Sequence, residues 1–428
     1  MEFMLAMDYI RTRDLYHLLS DTLRLINPRP IDHGQRVAYL VYKMLQSGRT
    51  LEEFELADFI FLTTFHDFGA YKTDNLDDAL KYENRDFMPH SIYGYLFAKN
   101  MFPQIDEEQA KVYLYHHIDY KQLSAMNFQF KELAGLLGIA EKMDLYNTAL
   151  GEKFDYRMFQ KYAGTKFSER SLNLFYQLEQ KERVLEKLKD SSYQDELKEA
   201  VNFMIFTNED KKQSLELLMY LFGFQNEVAV VNAVTCIYIC RAVGKEMALS
   251  MREQEILYYG AMVHDIGMLS ISNDIINAPR KLEPEEVKIL RTHVDVSGEL
   301  MKGRMNEEII KIATAHHERC DGSGYPRGLK AAEMNTSQMI LQVADTVSGL
   351  TNERSFRVPK TKEQVISILN EEAERGKFGK QVVKVFTEKY DTIMGTVKEQ
   401  SNIVLAVYDR LNRNFKQVRE QFSGKGGA

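Results

Sequence analysis

Apolar residues recur along most of the chain with the spacing of a helix rather than the alternation of a strand. Ile309, Ile312 and Ala313 fall at i, i+3 and i+4, and His316 continues the same face at i+7. Another helix is predicted to open at Pro284, because proline is favoured in the first helical turn. Only 8 prolines interrupt 428 residues. The pattern predicts an all-α fold.

Length and local composition predict two helical domains. A chain of 428 residues exceeds one compact core. The segment 151–210 is rich in lysine and glutamate and lacks histidine, which predicts a helical linker between a first domain, 1–150, and a second, 211–423. The sequence GKGGA at 424–428 is expected to be a flexible tail. The longest apolar run, Val228 to Cys240, is too short to span a bilayer and suits a buried helix.

Composition and charge exclude several classes of function. Hydrophobic residues make up 44% and charged residues 27%, as in a soluble globular protein. The formal charge of −7 offers no general basic surface for DNA or RNA, although a small anion can still bind a locally positive site. Three cysteines without CxxC spacing, and no signal peptide or membrane span, predict a cytoplasmic protein with no membrane partner.

The histidines form two similar series. Nine of the ten belong to them, and each series ends in a carboxylate: His33, His66, Asp67, His90, His116, His117 and Glu141, then His264, Asp265, His293, His316, His317 and Asp345. The His-Asp step precedes the His-His step by 50 residues in the first series (66 to 116) and by 52 in the second (264 to 316). The local sequence FHDFG also matches VHDIG. Two copies of one unit are the simplest explanation.

These residue types are metal ligands. Imidazoles and carboxylates bind divalent iron, manganese, nickel and zinc. Neighbouring residues on a helix point about 100° apart, so His316 and His317 suit two adjacent ions, which the carboxylate of Asp265 would bridge. A two-metal centre serves phosphoryl transfer, and the chain offers neither a GxSxG elbow nor a P-loop. The alternative is that one or both copies are decayed sites kept for packing.

The second half resembles the HD-GYP family of HD-domain phosphohydrolases. The segments HDIG, HHERCDGSGYPRGL and VADTVSGLTNERSFR carry the resemblance, over about residues 232–383. The first half is similar to a diverged HD domain of the same type. The resemblance implies two tandem all-helical HD-type domains and two or three divalent metal ions, iron or manganese before nickel or zinc. It also implies hydrolysis of cyclic di-GMP or 3′,3′-cGAMP through a metal-activated water.

Matched position by position, the resemblance assigns residues to roles. The metal ligands of the second half would be His264, Asp265, His293, His316, His317 and Asp345, with Asp265 also catalytic. A second metal set in the first half would be His33, His66, Asp67, His90, His116, His117 and Glu141. The substrate loop would be Gly322, Gly324, Tyr325, Pro326 and Arg327.

Several positions depart from the family pattern. Asn232 stands where the family has its first ligand histidine, Met268 replaces a lysine, and Ser348 replaces a second aspartate. The first half lacks the GYP loop and has Ala70 at the lysine position. The first half therefore keeps more of the ligand set, whereas the second keeps the substrate loop.

Three functional hypotheses follow. The leading one is a cytoplasmic phosphodiesterase with its chemistry in the second half, the first half serving as a regulator or as the contact of a homodimer. The second is a catalytically impaired module that binds nucleotide or metal and signals to a protein partner, which the changes at Asn232 and Met268 favour. The third is a phosphohydrolase for another nucleotide, with the GYP loop retained by descent.

Overall fold

A computed structural model describes residues 9–48, 53–73, 88–101, 105–225, 227–352 and 358–423. Across these ranges the backbone forms α-helices and short 3₁₀ turns, with three isolated β-bridges and no β-strand. The predicted all-α fold is confirmed. The predicted flexible tail, 424–428, lies outside the described residues. Within the described ranges, a helix with the length and apolar character needed to cross a bilayer is not found.

The helices follow one another along the chain, numbered in order. They are α1 (Thr12–Ile26), α2 (Pro28–Gly48), α3 (Glu53–Thr64), α4 (Ala70–Thr73), α5 (Met88–Met101), α6 (Glu107–Tyr115), α7 (Tyr120–Ala125), α8 (Lys131–Leu150), α9 (Glu169–Glu182), α10 (Val184–Lys189), α11 (Tyr193–Val201), α12 (Asn208–Gln225), α13 (Glu227–Glu246), α14 (Met251–Val263), α15 (Asn273–Ile276), α16 (Pro284–Arg291), α17 (His293–Met301), α18 (Glu307–Ala313), α19 (Thr336–Thr351), α20 (Lys362–Glu374), α21 (Lys380–Glu388) and α22 (Tyr390–Ser423).

One compact unit comprises residues 27–213 and 410–428. Its centre is α2, which packs against α3 and α8, while α5 packs against α6. Large aromatic side chains such as Tyr39, Phe61 and Tyr113 are fully buried in it. Where the sequence predicts a linker, 151–210, the structure has α9, α10 and α11 packed on α2, α3 and α8 within the same unit.

The other compact unit comprises residues 1–26 and 214–409. Its centre is α13, which packs against α14 and α19, and α14 packs in turn on α18. The apolar run predicted to be a buried helix lies in α13, where Cys236 and Cys240 are both buried. Helix α1 also joins this unit, because its apolar face, with Leu15 and Leu18 fully buried, packs against α17. The unit defined by contacts therefore includes α1, which the sequence analysis assigns to the first domain, 1–150.

Helix ends place the histidines of the second half. Helix α14 begins at a capping box formed by Ser250 and Glu253 and ends one residue before His264. Helix α16 begins at Pro284, as predicted, and the break that follows it lets His293 open α17. Helix α18 ends before the His-His step, which lies in the turn that follows. Because these histidines lie at helix ends or in turns, side chains from several helices can project into the same space.

Candidate metal centres

The carboxylate of Asp265 lies at the centre of the histidine cluster of the second half. Its Oδ2 is 3.4 Å from Nε2 of His264. Its Oδ1 is 3.4 Å from Nε2 of both His293 and His316. One carboxylate thus faces three imidazoles that come from three different helix ends.

The remaining two predicted ligands of this half meet beside that cluster. Nδ1 of His317 lies 3.5 Å from Oδ2 of Asp345, which projects from α19. Two groups form that can each hold an ion, one of His293, His316 and His317 and one of His264, Asp265 and Asp345. The structure therefore brings together all six residues that the sequence assigns to this site.

The imidazoles are oriented by the backbone. Nδ1 of His264, His293 and His316 lies 2.8, 2.6 and 2.6 Å from the carbonyl oxygen three residues earlier. Because a carbonyl oxygen can only accept, Nδ1 carries a proton, and Nε2 is the nitrogen that faces Asp265. This outer hydrogen bond is the usual support of a metal-ligating histidine.

The first half builds a similar centre around Asp67. Its carboxylate oxygens lie 3.5 to 3.9 Å from Nε2 of four histidines, namely His33, His66, His90 and His116. Nε2 of His117 lies 2.9 Å from Nε2 of His90, and its Nδ1 lies 3.3 Å from Oε2 of Glu141. The seven predicted residues of this set are therefore also brought together, from α2, α5, α8 and the turns after α3 and α6.

The first histidine of this set has a partner of its own. Nδ1 of His33 lies 2.7 Å from Oδ2 of Asp144, and Arg36 donates to both oxygens of the same carboxylate, at 2.6 and 2.9 Å. Burial lowers the pKa of His33, but the hydrogen bond and charge of Asp144 more than offset it, so the pKa is raised overall. The ring of His33 is thereby held in one orientation.

In the second half the equivalent positions have changed as a set. Asn232 replaces the histidine, and Ser348 stands where the first half has Asp144. The amide of Asn352 donates to Oδ1 of Asn232 at 2.8 Å and to the hydroxyl of Thr235 at 3.2 Å. The side-chain oxygen of Asn232 is therefore engaged within the protein.

The ligand-capable atoms have the surroundings of metal sites. Buried polar atoms in proteins almost always have hydrogen-bond partners. Among the described residues, the buried atoms without one include six from these two centres: Nε2 of His33, His66 and His116, Oδ1 of Asp67 and Asp265, and Oε2 of Glu141. Each belongs to a nitrogen or oxygen type that binds divalent cations, so the residues present fit such ions.

Three of the imidazoles and the central carboxylate of the second half have protonation states that suit metal binding. Burial lowers the pKa of His116, His117 and His317 well below the ordinary value, so these rings are neutral near pH 7. Burial alone would raise the pKa of Asp265, but the neighbouring charge of His264 lowers it well below its usual range. Neutral imidazoles and an ionised carboxylate are the forms that ligate.

The GYP loop is held from inside by a buried carboxylate. Glu318 is fully buried, and its two oxygens accept hydrogen bonds from the backbone N–H groups of Arg327 at 2.7 Å and Leu329 at 2.9 Å. Gly324 has no room for a side chain, since a Cβ there would lie 2.3 Å from the backbone nitrogen of Arg319. At Gly322 the backbone is left-handed, with φ of +85°.

The GYP loop contacts the metal centre through Tyr325. Its ring lies over the ring of His317, with centroids 4.7 Å apart, and its backbone N–H donates to the carbonyl of His317 at 3.1 Å. The guanidinium of Arg291 lies 4.6 Å from the centroid of the same tyrosine ring. Pro326, the next residue, is exposed. Arg327 instead donates to the backbone and the hydroxyl of Thr314, both at 3.1 Å.

Two residues of this site were not selected from the sequence. Glu318 directly follows the His-His step, and its role depends on contacts with residues nine and eleven positions later. Arg291 lies two residues before His293 and reaches Tyr325 only through the fold. An arginine near a ligand histidine was the available signal, but arginine is common on exposed helix faces.

Glu318→Gln should loosen the loop. The substitution keeps the shape but replaces one accepting oxygen with an amide that cannot accept, so an N–H of Arg327 or Leu329 loses its partner. The expected cost is about 1–3 kcal/mol of unfolding free energy. Thermal unfolding checks it, with Asp321→Asn as the matched exposed control. Equal unfolding temperatures of the two variants would contradict the assignment.

Comparison with known proteins identifies a matching family model and several relatives of this chain. A family model described as an HD domain matches residues 216–382. The 3′3′-cGAMP-specific phosphodiesterase 1 of Vibrio cholerae is 26% identical over 404 residues, which cover 88% of this chain and 91% of that protein. A cyclic di-GMP phosphodiesterase of Thermotoga maritima is 32% identical over 177 residues, 40% of this chain and 47% of that protein.

A solved structure shares the fold. The crystal structure of a cyclic GMP-AMP-specific phosphodiesterase from V. cholerae aligns with a TM-score of 0.56 at 14% sequence identity. The alignment covers 89% of this chain and 98% of that chain. At this identity the likeness concerns the helical architecture.

Proposed function

We propose that the second half of this chain, which matches an HD-domain family model over residues 216–382 and resembles the HD-GYP family, hydrolyses a phosphodiester bond of a cyclic dinucleotide with the help of divalent metal ions. The observation that supports the proposal is that two features, a cluster of ligands and a loop, lie next to each other. Six ligand residues form two adjacent groups, one of which includes Asp265 with a side chain that is 34% exposed, and the loop bearing Tyr325 lies against another of those ligands, His317. An accessible centre beside a rigid loop can receive a substrate.

Each side chain contributes a distinct part of the reaction. Divalent ions, when held by this ligand set, would lower the pKa of bound water and offset charge on phosphate oxygens. Asp265, ionised and partly exposed, joins the two ligand groups. Arg291 has no carboxylate partner within the described ranges, so its guanidinium is available to pair with a phosphate of the substrate. Arg327 is bound to Thr314 and serves to position the loop.

The preferred substrate is proposed to be 3′,3′-cGAMP, with cyclic di-GMP second. The V. cholerae relative named for 3′3′-cGAMP aligns with both halves of this chain, whereas the T. maritima relative named for cyclic di-GMP matches 40% of it. The test incubates the full chain with Mn²⁺ or Fe²⁺ under reducing conditions and each dinucleotide, and separates the linear products chromatographically. No turnover of either compound contradicts the proposal, and faster hydrolysis of cyclic di-GMP reverses the order.

The second candidate function is a non-catalytic module that binds nucleotide or metal. The engagement of Asn232 by Asn352 favours it, because no imidazole is offered at that position. Met268, at the family's lysine position, offers no cation. Binding of 3′,3′-cGAMP without any linear product, measured by calorimetry and chromatography on one preparation, would select this function.

Restoring the lost ligand should improve metal retention. The double variant Asn232→His, Ser348→Asp introduces in the second half the two residue types that form the His33–Asp144 pair of the first half. Because an outer partner of a ligand histidine is worth about 10–100-fold in metal affinity, the double variant should bind metal at least about tenfold more tightly than Asn232→His alone. Competition with a chromophoric chelator measures it. Equal affinities of the single and double variants would contradict the role given to Ser348.

A further inference from the structure

The two metal centres differ in exposure at three of their matched positions, whereas the other matched histidines are buried in both. The side chain of Asp67 is 9% exposed against 34% for Asp265, and Glu141 is 2% exposed against 19% for Asp345. His117 is 11% exposed against 22% for His317. Structural metal sites in proteins are closed, whereas catalytic sites keep an open position for water or substrate.

From this contrast we propose that the first half holds a closed, structural metal centre at Asp67, distinct in role from the open centre at Asp265. Five of the six unpaired buried ligand atoms belong to the first half, and only Oδ1 of Asp265 belongs to the second. Buried atoms of this kind cost free energy unless an ion satisfies them. The first half therefore depends on its ions more than the second does.

The hydrogen bonds made by the ligands of the first-half centre also support a structural role. Asp144 is fully buried, and it connects His33 to Arg36 through hydrogen bonds of 2.6 to 2.9 Å. Nδ1 of His66 lies 2.7 Å from the carbonyl of Thr63, which orients a second ligand. Ligands fixed by buried partners lose little freedom when an ion binds, so metal is retained strongly.

Among the residues that the structure describes, the cavity beside the His-His step of the first half is small. In place of the GYP loop, residues 118–120, Leu123 and residues 166–168 help to line a cavity of about 140 Å³ next to His116 and His117. Sites for drug-sized ligands occupy about 300–1,000 Å³. A cyclic dinucleotide is at least of that size, so this cavity does not provide a second substrate site of the GYP type.

Closure of the centre ties five segments together. Its ligands come from α2, α5 and α8 and from the turns after α3 and α6, all within the unit formed by residues 27–213 and 410–428. Metal that binds the folded state alone stabilises it by mass action. Removing these ions should therefore lower the unfolding temperature, whereas removing those of the open centre should change it little.

Metal release from the full-length protein tests the proposal without any substrate. The metal-loaded protein is mixed with excess dipicolinate, and the bound metal is measured by mass spectrometry after rapid desalting at successive times. We expect two phases, with the slow one lagging by on the order of tenfold or more. The variant Asp265→Asn should lose the fast phase and keep the slow one, and the unfolding temperature should fall only as the slow phase proceeds.

Two variants of the first half assign the slow phase. Asp67→Asn should abolish it, and His33→Asn, which copies the residue found at the same position of the second half, should accelerate it while leaving the other ligands in place. A single phase of release from the unmodified protein overturns the proposal. So does a slow phase that disappears in Asp265→Asn, or complete loss of metal with no change in unfolding temperature. An inactive protein with a slow phase would still support it.

Discussion

Replacing Asp265 with asparagine should lower the rate of cyclic-dinucleotide hydrolysis by at least about a hundredfold. Loss of an outer partner of a metal ligand alone costs about 10–100-fold, and Asp265 is itself the carboxylate that faces His264, His293 and His316 within 3.4 Å. The amide keeps the size of the side chain but removes its negative charge. Comparison of kcat/KM at saturating Mn²⁺ measures the effect.

The matched control is Asp295→Asn. Asp295 lies two residues after His293 in the same helix, α17, but its side chain is exposed, so the same chemical change there should leave kcat/KM within about twofold. Unchanged far-ultraviolet circular dichroism would show that both variants are folded. Activity that survives in Asp265→Asn but is lost in Asp67→Asn would place the chemistry in the first half and contradict the proposal.

Gly267→Ala should destabilise the unit that contains the open centre by about 3 kcal/mol. A Cβ at this position would lie 2.1 Å from the carbonyl oxygen of His293 and 2.8 Å from the backbone nitrogen of Ser297. The hydroxyl of Ser297 accepts from the N–H of Gly267 and donates to the carbonyl of His264, both at 2.9 Å. The added methyl group must therefore displace backbone that carries a ligand.

Thermal unfolding checks this expectation. For a unit of this size, 3 kcal/mol corresponds to a fall in Tm of on the order of 6–12 °C. Gly69→Ala should act similarly in the other unit, since its Cβ would lie 2.1 Å from the carbonyl oxygen of His90. Gly395→Ala is the control, because that exposed helical position has open space and alanine favours a helix by about 1 kcal/mol. A Tm of Gly267→Ala equal to that of Gly395→Ala would contradict the steric argument.

The helical class and the content of both centres were predictable from local pattern. Helical spacing of apolar residues and the scarcity of proline indicate α-helices, and Pro284 marks a helix start that the structure has. The residues that meet in the two clusters were predictable because the series occurs twice. A lone His-Asp pair such as His66-Asp67 is weak evidence for a site, but its recurrence at His264-Asp265 with similar spacing is strong evidence.

Other features depend on contacts between distant segments. Arg327 donates to Thr314, and Arg291 of α16 lies over the ring of Tyr325, so both contacts depend on how the loop packs against other segments. Residue type alone would favour a phosphate-binding role for both arginines. The packing of α1 with α17 is likewise decided by the apolar face of α1, whose partner no local pattern names.

The sequence by itself determined which residues can bind metal, because ligand chemistry belongs to side-chain type and the duplicated order shows that those types are used together. Only the tertiary structure decided how open each centre is, since the exposure of Asp67 and of Asp265 depends on what the surrounding helices cover. Two series that look alike along the chain thus form one closed centre and one open centre, and that difference in burial underlies the separate roles proposed for them.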